Sequence, residues 1–184
     1  MKKRILYLGD VSAQMFYESL KVNLKLKNLD LSGNDFGEIG SEFLGYGIGA
    51  NDSLEKLTLS YNKIRGKGAV ALAAALKVNI SLKHLDLSWN GFRDAGAMNL
   101  SESLKDNNSL LTLNLDHNEI TDEGLVKLAG ALGQNDTLKC LQCVLKLWFG
   151  VEIWSLLRFM SEILKNRFLN ALYEWASTTS LVKA

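Results

Sequence analysis

The stretch Leu82-Lys83-His84-Leu85-Asp86-Leu87-Ser88-Trp89-Asn90 carries the decisive pattern. Leu85 and Leu87 are two residues apart, so in an extended chain both point to one side, with His84, Asp86 and Ser88 on the other. That alternation predicts a short strand with one apolar face. Asn90 stands where the chain must leave the strand. A buried amide there offers two donors and an acceptor to backbone groups that the turn leaves unpaired. Beyond Gly96 the spacing changes, and Leu100 and Leu104 are one helical step apart. Asn107 closes the unit.

The same template starts again at Leu26, Leu54 and Leu110, a step of 28 residues. Leu82, Leu85, Leu87, Asn90, Phe92, Gly96, Leu100, Leu104 and Asn107 each have a counterpart in every repeat, with Ile accepted for Phe at the fifth position and for Leu at the eighth. Asparagine falls in two rows: Asn34, Asn62, Asn90 and Asn118, expected to be structural, and Asn23, Asn51, Asn79, Asn107 and Asn135. A unit of strand, turn, helix and return loop cannot bury both of its faces alone. Such units stack and share a continuous core. The expected fold is therefore an α/β solenoid with parallel strands on its concave side and helices on its convex side.

Written as L-x-x-L-x-L-x-x-N-x-(I/F)-x-x-x-G-x-x-x-L-x-x-x-L-x-x-N, the pattern resembles the leucine-rich repeats of the ribonuclease-inhibitor-like class. That class includes the repeat domains of NOD-like receptors and of Ran GTPase-activating proteins. Leu85-Asp86-Leu87-Ser88-Trp89-Asn90 and Ala73-Ala74-Ala75-Leu76-Lys77-Val78-Asn79 are most similar to NOD-like receptor repeats. The resemblance covers residues 8–143 and implies a horseshoe that binds proteins. Kinship with the Ran activators implies an alternative, a GTPase-activating role in which Arg65 and Arg93 are the basic candidates. A third reading is a truncated fragment without independent activity.

The chain divides by pattern into residues 1–143, the repeat domain, and 144–184, an atypical apolar segment. Upstream, Leu8, Phe16, Leu20 and Asn23 fit the helical half of a repeat, so residues 11–22 should form a helix covering the first edge of the core. Downstream, a fifth strand begins at Leu138 and Leu141, with Cys143 in the next leucine slot and Lys146 where asparagine belongs. Ile153, Leu157, Met160, Leu164, Phe168, Ala171 and Trp175 then form a stripe at helical spacing, with Leu156, Phe159 and Ile163 apolar on other faces. Two readings stand for this segment: a cap that also contacts a partner or a second copy, or a piece of an alternative transcript or faulty gene model.

Composition narrows the function. Lys and Arg total 21 against 20 Asp and Glu, a net charge of +1 that gives no footprint for nucleic acid or anionic lipid. The apolar run Ile5–Leu8 is too short for a secretory signal, and Lys146, Glu152, Arg158 and Glu162 break the later apolar stretch, so no membrane span is expected. With two cysteines, a cytoplasmic setting is expected. Cys140 and Cys143 form a C-x-x-C, but an odd separation on a strand sends the side chains to opposite faces, Cys143 inward and Cys140 outward. No metal, cofactor or phosphate-cradling loop is expected. His84 and Asp86, two apart on a strand, lie about 6.5 Å from each other, too far for a direct bond, and no catalytic residue is assigned.

The informative residues are those the core does not dictate. In-register stacking lines up Asn28, Lys56, His84, Thr112 and Cys140; then Asp30, Thr58, Asp86, Asn114 and Gln142; then Ser32, Ser60, Ser88 and Asp116. Just past the strands come Gly33, Tyr61, Trp89 and His117. Exposed aromatics beside charges are the usual make-up of a protein-binding hot spot; the bland alternative is a ladder of rings packed on their own neighbours. The partner-binding candidates are Lys56, Tyr61, His84, Asp86, Trp89, Asn114, Asp116 and His117.

Overall fold

The computed structural model describes residues 8–143. In chain order these form α1 (Gly9–Val22), β1 (Asn28–Asp30), α2 (Glu38–Ala50), β2 (Lys56–Thr58), α3 (Gly66–Val78), β3 (His84–Asp86), α4 (Arg93–Asp106), β4 (Thr112–Asn114), α5 (Asp122–Leu132) and β5 (Cys140–Gln142). The strands make one parallel sheet in the order of the sequence. Its register is the repeat itself: Leu29 pairs with Leu57, Leu57 with Leu85, Leu85 with Leu113 and Leu113 with Leu141. The expected α/β repeat solenoid is the observed fold. The division at residue 143 remains an expectation, because 144–184 lie outside the described residues, as does the apolar stripe.

The template leucines fill the core between sheet and helices. Leu54, Leu82 and Leu110 are sealed, as are Phe36, Ile64 and Phe92 at the turn and Leu72 and Leu100 on the helices. Burying such a side chain contributes about 1.5–3 kcal/mol, which is how three-residue strands are held in place. At the first strand only α1 precedes, and there Leu26 is 38% exposed.

Both asparagine rows tie each repeat to its predecessor. Asn90 Nδ2 donates to the carbonyl of Leu87 in its own repeat (2.9 Å) and of Leu59 in the one before (3.0 Å), while its Oδ1 accepts from the Ile64 amide (3.1 Å). Asn62 and Asn118 repeat the pattern. Asn34, the first of the row, is half-buried and donates to Ser32. The second row works on the helix side. Asn79 Nδ2 reaches the carbonyls of Ile48 and Asn51 at the end of the preceding helix, while Oδ1 accepts from Ser81 and Leu82. Those carbonyls are the groups a helix C-terminus leaves without a partner.

A third row was not legible as one. Asp10, Glu38 and Asp94, spaced by multiples of 28, each cap the next repeat's helix. Asp10 accepts from the Gly37 amide (2.6 Å), Glu38 from Lys67 (2.9 Å), and Asp94 from Thr121 (2.8 Å) and Gly124 (3.1 Å). Gly66 occupies that slot in the remaining repeat, and α4 begins differently, with Arg93 in the left-handed region at φ 53°.

Candidate functional site

The strand face presents the first two side-chain rows as the register predicts, with Lys56 beside His84 and His84 beside Thr112. Lys56 and His84 are exposed, and the His84 ring nitrogen Nδ1 lies 2.9 Å from Thr112 Oγ1. Asp86 and Asn114 are half-buried and turn their side chains toward their own backbone. Asp86 Oδ1 accepts from the Ser88 amide (2.9 Å) and Asn114 Oδ1 from the Asp116 amide (3.0 Å). These bonds stop the strand and start the turn.

The third row is corrected by the structure. Ser60 and Ser88 are buried, at 7% and 6% exposure, rather than displayed on the outer face. The strand has already ended at Asp86, so period-two alternation no longer decides where Ser88 points. Asp116 in the same row is half-buried.

Past the strands the chain takes one conformation four times. Gly33, Tyr61, Trp89 and His117 have φ of 67°, 56°, 55° and 56°, the left-handed region that side chains rarely adopt. The first three hold it with the same bond to the next repeat: the amides of Gly33, Tyr61 and Trp89 donate to Ser60, Ser88 and Asp116. This conformation stands the rings side by side. Tyr61 stacks on Trp89 with centroids 5.2 Å apart and planes 10° from parallel, and Trp89 stacks on His117 at 3.8 Å and 19°. The ladder and the exposed patch are therefore one feature: Tyr61 remains 60% exposed and Trp89 45%.

The other candidates are modest. Arg65 immediately precedes α3, and Arg93 opens α4, where its Nε donates to Glu119 (3.0 Å). Cys140 lies in register with Thr112 and Cys143 follows the strand; both are half-buried free thiols. Burial pushes the Cys143 thiol up to about 12, with the nearby Asp116 charge adding to it. Among the described residues no three metal-capable side chains cluster, and no helix is long and apolar enough to cross a membrane.

Short parallel strands in register, helices behind them and an asparagine ladder at the turn define a leucine-rich-repeat protein. Comparison agrees: leucine-rich-repeat models match residues 25–46 and 50–73, and a model described as the TMOD/LMOD leucine-rich domain matches residues 69–147. The fold is similar to that of leiomodin-1 actin-binding site 2, at a TM-score of 0.70 and 19% identity, covering 90% of this chain and 96% of that one. It is also similar to the tropomodulin C-terminal domain of Caenorhabditis elegans, at 0.69 and 14%, covering 90% and 99%. At these identities the likeness establishes the fold. No curated protein matches the sequence.

Proposed function

We propose that the chain is a non-catalytic protein-binding module that engages its partner through the concave strand face and its loop edge, around Lys56, Tyr61, His84, Asp86, Trp89, Asn114, Asp116 and His117. The observation that carries this reading is the stacked yet exposed ladder of Tyr61, Trp89 and His117. Rings held rigid by one another give apolar contact at low entropy cost, and the charges of Lys56, Asp86 and Asp116 set register. Actin is the first partner to test, because the family match over residues 69–147 and the leiomodin-1 likeness both point toward actin-binding proteins. The ribonuclease-inhibitor-like geometry and a cytoplasmic setting belong to the same proposal, resting on the 28-residue period and on two cysteines in the chain.

The test is titration of monomeric actin with the purified chain and two variants. Trp89→Ala should weaken binding by about 2 kcal/mol or more, a typical hot-spot loss. Lys105→Ala on α4, whose ammonium pairs with Glu102, should leave affinity unchanged. Binding that survives Trp89→Ala and fails in Lys105→Ala would move the interface to the helices. An actin titration without binding would discard actin.

A further inference from the structure

The ring ladder has a missing rung. Gly33 occupies the position of Tyr61 and Trp89 one repeat earlier, in the same left-handed conformation and with the same amide bond to the next repeat. It carries no side chain, and a β-carbon built there would meet nothing within 4 Å. One face of the Tyr61 ring is covered by Trp89. The opposite side adjoins the Gly33 repeat, where the next ring of the series would stand. The ladder therefore ends at an open slot floored by glycine backbone and walled by a phenol ring.

We propose that this slot takes the guanidinium of an arginine presented by a protein partner, which completes the ladder by stacking on Tyr61. This rests on the strand-face reading above and names the chemistry recognised there. A planar cation fits a slot one ring wide, and the negative face of an aromatic ring attracts it. The surrounding charge has the matching sign: Asp30 lies three residues before Gly33 on β1 and Asp35 two residues after it, with Lys63 already paired to Asp35 (2.5 Å). A guanidinium stacks while its edge donates to carboxylates, which an ammonium cannot do with one flat face.

The experiment uses the full chain and the pentapeptide Gly-Gly-Arg-Gly-Gly, against matched peptides carrying citrulline or phenylalanine in place of arginine. The readout is the nuclear magnetic resonance shift of the Gly33 amide and Tyr61 ring protons. The arginine peptide should move both, with the citrulline peptide about tenfold weaker because the ring's attraction for charge is lost. Gly33→Trp should fill the slot and abolish the shift at Tyr61, while Gly33→Ala, which adds one methyl to open space, should keep it. Tyr61→Ala, free of the bulk added in Gly33→Trp, should lose arginine binding as well. Unchanged binding in Gly33→Trp and Tyr61→Ala, or preference for the phenylalanine peptide, would overturn the assignment. A protein partner lost on Trp89→Ala but retained by Gly33→Trp would leave the strand-face reading standing and remove this one alone.

Discussion

At the scale of single residues, position in the stack decides what one side chain contributes. Asn90 is 9% exposed and bonds backbone groups of two repeats, so Asn90→Ala leaves buried donors and acceptors unpaired and should cost about 1–3 kcal/mol. Asn34 has the same place in the template, but it is half-buried and donates to Ser32, so Asn34→Ala should cost about 0.5 kcal/mol, as surface changes do. Urea midpoints compare the two, and equal losses would refute the inter-repeat account. Cys143 supplies a pH prediction. Its thiol rises from an ordinary 9.0 to about 12, so the folded chain holds the proton more tightly than the unfolded one. The associated stability is complete below pH 9 and is lost as pH climbs toward 12. At neutral pH iodoacetamide should label Cys143 far more slowly in the native chain than in denaturant, as peptide mapping would read.

At the scale of elements, the sequence was most legible where one period governed. Leucine alternation set every strand and its register, because a slip of one residue would turn the leucines to solvent. The left-handed backbone under Tyr61, Trp89 and His117 was not legible, since aromatic residues give no local sign of a conformation imposed by bonds to the next repeat. The placement of Ser60 and Ser88 failed for a related reason, because the alternation was carried past the end of the strand. The acidic caps escaped notice because donor and acceptor lie about a repeat apart, whereas familiar capping pairs are local. Asp94→Ala removes an acceptor used by two amides of the next helix's first turn and by the Thr121 hydroxyl, and should cost about 1–2 kcal/mol. Hydrogen exchange at Thr121 and Gly124 should quicken, and unchanged protection there would show that water caps α5 equally well. Packing sets a second limit on the helices. A β-carbon at Gly45 would lie 2.8 Å from the Ala71 carbonyl carbon, so Gly45→Ala should destabilise even though alanine is the better helix former by about 1 kcal/mol.

At the scale of the whole repeat domain, each unit touches its neighbours and little else, so stability should follow nearest-neighbour sums. Leu85 is 3% exposed in the middle strand, and Leu85→Ala should cost roughly 2–5 kcal/mol. Leu29, its counterpart in β1, is half-buried, and the same change there should cost less. Native-state hydrogen exchange should open β1 and α1 before β3, with the first repeat fraying at lower free energy than the centre. A single exchange free energy throughout would mean that the array unfolds as one unit.

The side-chain bonds that join repeats have a genetic reading. They reach back 26, 28 or 31 residues, always into the unit just before. Excising residues 82–109 joins Ser81 to Leu110 and offers Asn118 the Leu59 carbonyl in place of that of Leu87. A loss of 28 codons thus restores each connection with a residue of the same kind, whereas a loss of 27 breaks the series from the junction onward. Unequal crossing-over between copies of the unit is therefore a tolerated event for this chain, able to shorten or lengthen the array while leaving its joints intact.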